Sequence, residues 1–214
     1  MTTEINKKIF LISFSLSLFF IAQFYPITET ADAATATDNV IVTLDVTAGI
    51  TISNGADVTM APTLGVASDS SIGTSSWVVK TNAVNGYTLA VKASSSPALV
   101  SGLNSFADYT ETVPGTPEAW SIAAGAKEFG YSAYGTDTAT GTWGTASTCG
   151  AGGIPDPAQK YVGFQITDKT IATRASVTPT TGITTNICFT AAQNAIYAPS
   201  GTYTATITAT ATTL

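Results

Sequence analysis

The chain reads as an all-β protein, an antiparallel β-sandwich of Greek-key or immunoglobulin-like type with long loops rich in Gly, Ser and Thr. Three observations lead there. Thr, Ala, Ser and Gly dominate the sequence and only 10% of residues are charged, a mixture that suits strands covered by small hydroxylated side chains better than helices. Period-two alternation of apolar and polar residues recurs along the chain. The final residues, Gly201 to Leu214, alternate Thr with apolar side chains almost without a break.

Taken in order, Met1 to Ala33 has the three parts of a secretion signal. Lys7 and Lys8 give the positive start, Ile9 to Ala22 is an apolar run broken by Ser13, Ser15 and Ser17, and Ala31-Asp32-Ala33 supplies the small residues before a cut. Cleavage is expected between Ala33 and Ala34, with 181 residues left as a single β-sandwich domain over 34–214. A membrane span takes about 20 apolar residues. This run is shorter and ends at Gln23, Tyr25 and Pro26, so no membrane association is expected after cleavage.

Val40, Val42, Leu44 and Val46 alternate with Ile41, Thr43 and Asp45, the pattern of a strand with one better buried face. Ile50-Thr51-Ile52 and a turn at Asn54-Gly55 follow. Trp77 to Thr81 and Tyr87 to Lys92 are β-rich runs joined across Asn82 to Gly86, and Asn85-Gly86 between them predicts an antiparallel hairpin, since both residues tolerate positive φ. Later strands are expected over Glu128 to Ala133, Lys160 to Thr167, Thr184 to Ala191 and Thr202 to Thr212. The stretch at 94–157 resists this reading. It is rich in Gly, Ser, Pro and Thr and predicts short strands and long loops, with a helical turn near Ser101 to Tyr109; long loops in a compact domain are often functional. In the last strand Tyr203, Ala205, Ile207, Ala209 and Ala211 share one face and the intervening threonines the other. Such small core residues call for bulkier ones on the opposed sheet. The chain ends without a sorting signal, so sortase attachment is not expected.

Cys149 and Cys188 are the only cysteines. In an oxidising compartment an even count favours a disulfide, which on the chain-entropy account would stabilise the fold by about 4 kcal/mol. Beyond Ala33 eleven acidic residues stand against six basic ones, which argues against nucleic acid as a partner. The chain has no histidine, so Ser-His-Asp and Cys-His catalysis are excluded and the common zinc sites lose their usual ligands. Carboxylates at Asp137, Asp156 and Asp168, or at Asp108, Glu111 and Glu118, could in principle converge as in a glycosidase, but scattered acids are far more often solubilising. No enzyme activity and no cofactor or metal is expected.

The ending Pro199-Ser200-Gly201-Thr202-Tyr203-Thr204-Ala205-Thr206-Ile207-Thr208 resembles the final strand of secreted bacterial β-sandwich proteins, among them the WxL-type surface proteins and the spore coat protein U family of fimbrial subunits. Trp77 to Asn82 followed by Asn85 to Leu89 is similar to a hairpin of the same broad group. The Trp-x-Leu signature of the WxL proteins is lacking. The resemblance implies a fold and a surface location, and no binding residues.

Three non-catalytic functions are therefore expected in descending order. The first is a structural or pilin-like surface subunit that assembles with itself, or with other surface proteins, through sheet edges, with Val40, Val42, Leu44 and Val46 as a candidate donor strand, although sequential strands usually pair within one fold and the same run is more readily expected to pair within its own sheet. The second is an adhesin or carbohydrate-binding module that stacks a glycan on Trp120, Tyr131, Tyr134 or Trp143. The third is ice binding by the terminal Thr row, set low because no repeat supplies further rows.

Overall fold

A computed structural model describes residues 35–53 and 55–214. The leader, its Ala33–Ala34 junction and the turn residue Asn54 lie outside the described residues. Residues 1–45 and 46–214 form two units, and the fold described here is that of the second.

That unit is nearly all β. Its strands are β1 (Ile50–Ile52), β2 (Ser70–Thr81), β3 (Tyr87–Ala93), β4 (Leu99–Ser101), β5 (Asn104–Asp108), β6 (Lys127–Gly135), β7 (Val162–Gly163), β8 (Lys169–Arg174), β9 (Ile183–Gln193) and β10 (Ile207–Thr213), with a single helical turn, α1 (Thr140–Trp143). The larger sheet runs β1-β2-β9-β6-β5-β4, with β7 also on β6, and the smaller runs β10-β3-β8. Pairing is antiparallel throughout except for β5 with β6, which is parallel.

Alternation places the core. Val79 and Trp77 of β2, Phe129, Tyr131 and Ala133 of β6, and Ile187, Phe189 and Ala191 of β9 share one buried cluster with Tyr87, Leu89, Val91 and Ala93 of β3 and Ile171 of β8. The bulky members come mostly from the larger sheet. Ala209 and Ala211 of β10 pack against this cluster while Thr208, Thr210 and Thr212 are exposed. Each buried Phe or Trp contributes on the order of 2–3 kcal/mol by removal from water.

Five expectations need correction. The β2 and β3 runs do not form a hairpin: β2 pairs with β1 and β9, and β3 with β10 and β8. The connection through Asn82 to Gly86 instead carries the chain from one sheet to the other, and period-two alternation reports only that each strand has a buried face. Gly86 is required for a different reason, since at φ +81° an added Cβ would stand 2.0 Å from the Arg174 carbonyl oxygen. The helical turn expected near Ser101 to Tyr109 is the β4–β5 hairpin, turned at Gly102 with φ +58°. The strand expected over Lys160 to Thr167 shrinks to β7, and regular pairing of the last strand begins only at Ile207. Finally, Val40 to Val46 is not in a strand, and its apolar side chains are exposed: Val40 by 83%, Ile41 by 90%, Val42 by 87%, Leu44 by 84% and Val46 by 75%. An extended run gains strand geometry only from a partner for its main chain, and this one has none among the described residues.

Candidate functional site

The carboxylates considered for catalysis are tied to other work. Asp156, buried to 2% exposure, accepts hydrogen bonds from the main-chain N–H of Gly152 (2.9 Å) and of Ala158 (2.9 Å). Glu111 accepts from the N–H groups of Gly115 and Gly163, and Glu118 from that of Thr112. Asp108 accepts from the Ser96 hydroxyl and the Ala98 N–H. Asp137 pairs with Arg174 at 3.2 Å and accepts from the Tyr87 hydroxyl at 2.8 Å, while Asp168 faces Lys92 on the surface. Asp108, Glu111, Glu118 and Asp156 hold loops in place by accepting main-chain N–H groups, a charge-assisted bond of this kind contributing about 1.5–3 kcal/mol where it is shielded from water. No two of them are set across the shallow depression beside α1, where Asp137 is the single acid in a lining otherwise made largely of threonines.

The loop aromatics also have structural partners. Tyr131 and Trp143 are buried, at 1% and 4% exposure, with their ring centres 5.7 Å apart. Trp120 lies stacked on Tyr109 at 4.4 Å and edge-on to Tyr161 at 5.3 Å, over the outer side of Gly130, where an added Cβ would meet both Tyr109 and Trp120. Tyr134 is half-buried, its hydroxyl 3.1 Å from that of Thr74. The four rings are not brought to a common face. Burial pushes the Tyr131 phenol far above its ordinary range with help from the Glu111 charge, and pushes Tyr109 up to about 12, with the Glu118 charge adding to the effect.

Cys149 and Cys188 form a disulfide with Cα atoms 5.3 Å apart. It fastens the loop after α1 to the outer side of β9, as the pairing of the two cysteines predicted.

Among the described residues a concave site lies where sequence reasoning placed no candidate. A groove of about 800 Å³ opens between residues 55–64 and residues 198–207. Its floor is the core: Trp77, Phe129 and Phe189 of the larger sheet, with Leu99 and Phe106 of the β4–β5 hairpin. One wall presents Val58, Met60 and Leu64, and the other Tyr203, Ala205 and Ile207, all half-buried. Val58 and Met60 sit over Gly73, whose missing side chain leaves them room. Tyr203 packs edge-on to Phe106 at 5.1 Å. At one end Gln193, itself buried, joins the walls: its amide N–H donates to the Gly65 carbonyl (3.0 Å) and its side-chain oxygen accepts from the Ala198 N–H (2.9 Å). The sequence marks the walls only as two alternating runs, Asp57 to Met60 and Thr202 to Thr206, and nothing local in them says that they border a groove.

No protein-family model, characterised protein or solved structure matches this chain.

Proposed function

We propose that the protein is a non-catalytic structural subunit of a bacterial cell surface, secreted by way of Met1 to Ala33, that assembles with copies of itself through its sheet edges. In this reading the two sheets make a Greek-key or immunoglobulin-like sandwich. The observation that carries it is the row Val40, Val42, Leu44 and Val46, which has the period-two pattern of a half-buried strand while every member is at least 75% exposed. Exposed apolar residues are ordinary singly, but four in phase on one extended segment form an unpartnered strand face. A partner chain removes that face from water. The small sheet ends on β8 and β10, each with one paired neighbour, and in this reading a sheet edge accepts the partner's main chain. The glycan-binding alternative loses support from the burial of Tyr131 and Trp143.

The test is the state of association of the secreted chain, Ala34 to Leu214. It is expected to form a ladder of oligomers on a gel run without boiling, and a chain begun at Thr47 is expected to lose the ladder. A full-length secreted chain that sediments as a monomer at high concentration overturns the proposal.

A further inference from the structure

We propose that the depression beside α1 is a saccharide site, which takes one or two neutral sugar rings from the end of a glycan. This role goes beyond self-assembly and does not depend on it.

The walls are lined with threonine hydroxyls. The depression holds about 420 Å³, within the span of about 300–1,000 Å³ usual for small-ligand sites. Thr136 lines it from the loop after β6, Thr142 from α1, and Thr170 and Thr173 from β8. All four are exposed, and their hydroxyls have no hydrogen-bond partner among the described residues, whereas the neighbouring Thr138 hydroxyl is taken by the Gly135 carbonyl (2.7 Å). A hydroxyl both donates and accepts. So does a sugar hydroxyl, and four such groups match a polyol without calling for a charge.

Asp137 gives the site its one strong acceptor. Its side chain lines the depression and is only 7% exposed. The carboxylate accepts from the Tyr87 hydroxyl (2.8 Å) and pairs with Arg174 (3.2 Å), which uses two of its roughly four lone-pair sites and leaves room for a sugar O–H. Arg174 also offsets the charge, so neither an anion nor a cation is selected. The floor is Trp143, Ile171 and Ala172, none more than 4% exposed, an apolar patch suited to the C–H face of a ring. Trp143 is here part of a floor, not an exposed stacking platform.

Both walls are fastened before any ligand arrives. The Asp137 carbonyl accepts from the Thr173 N–H (3.0 Å), and Lys160 donates to the Gly141 carbonyl on α1 (2.9 Å). Preorganisation of this kind lowers the ordering cost of binding.

A glycan array probed with the labelled secreted chain, Ala34 to Leu214, tests the assignment, and saturation-transfer NMR then measures the retained saccharides one at a time. Neutral glycans are expected to be retained. Thr142→Val with Thr173→Val removes two exposed hydroxyls and spares the ion pair and the floor; it is expected to weaken binding about tenfold or more. The same exchange at Thr208 and Thr210, exposed on β10 and outside the depression, is expected to leave binding unchanged, and native circular dichroism in both variants separates loss of the site from loss of the fold. The site is not a saccharide site if the array retains no neutral glycan, if folded Thr142→Val, Thr173→Val protein binds like the parent, or if the β10 pair weakens binding as much. None of these readings depends on the state of association, so their failure leaves the self-assembly proposal standing.

Discussion

At the scale of single residues, the molecule depends on positions where an ordinary side chain would fail. Gly86 combines a left-handed φ of +81° with a site where any Cβ meets the Arg174 carbonyl. Gly86→Ala is therefore expected to destabilise the fold by at least about 2 kcal/mol, the left-handed conformation alone costing ~1–2 kcal/mol and the collision forcing β8 to move. A shift of the urea midpoint to lower concentration with unchanged slope is the signature. Asp156 is a second such position. Asp156→Ala would remove the acceptor of the Gly152 and Ala158 N–H groups in a part-buried turn, at about 1–3 kcal/mol in all because water can reach the exposed residues, and hydrogen exchange should quicken at those two amides. In the sequence Asn85-Gly86 signalled a tight turn. The turn at Gly86 is real, yet the carbonyl that makes it costly to change belongs to Arg174, far along the chain, whereas the partners of Asp156 are local.

Secondary-structure elements show which information alternation carries. It located β1, β2, β3, β6 and β9 and the inward faces of the last strand, because burial of one face imposes period two wherever a strand lies. Pairing is a different matter. β2 and β3 are adjacent in sequence and belong to different sheets, and nothing in a local pattern says which edge a strand will meet. The segment Val40 to Val46 has the same pattern and is not in a strand, so pattern alone cannot separate a strand from an unpaired run. The groove was invisible for the complementary reason: its walls come from residues more than a hundred positions apart, and its floor residues look like any core. The cysteine pair was legible since compartment and count, not geometry, predicted it. Replacing Cys149 and Cys188 together by Ala is expected to cost about 2–4 kcal/mol. The loss should appear as a lower melting temperature that reductant no longer changes, whereas in the parent chain reductant lowers it.

For the molecule as a whole, the buried tyrosines predict its response to alkali. Tyr87, Tyr109, Tyr131 and Tyr161 all have phenols pushed above the ordinary value of 10.0, first by burial and then, for Tyr87, by the hydrogen bond to Asp137 and its charge. In the unfolded chain each would ionise near pH 10. Below that pH both states hold the proton and these groups contribute nothing to pH dependence. Above it the unfolded state releases protons that the folded state retains, so stability falls as pH rises; for Tyr109 the fall continues to its folded value of about 12. The four rings lie on both sides of the larger sheet and at the start of β3, so the loss is global and not confined to one loop. Urea midpoints measured between pH 8 and pH 11 should hold level to about pH 10 and then drop progressively. Phenolate absorbance should rise with two steps, the second coincident with unfolding followed by circular dichroism. A single absorbance step near pH 10 in a chain that keeps its native dichroism would mean that these phenols meet water, and that the packing around Trp120 and the core is looser than described.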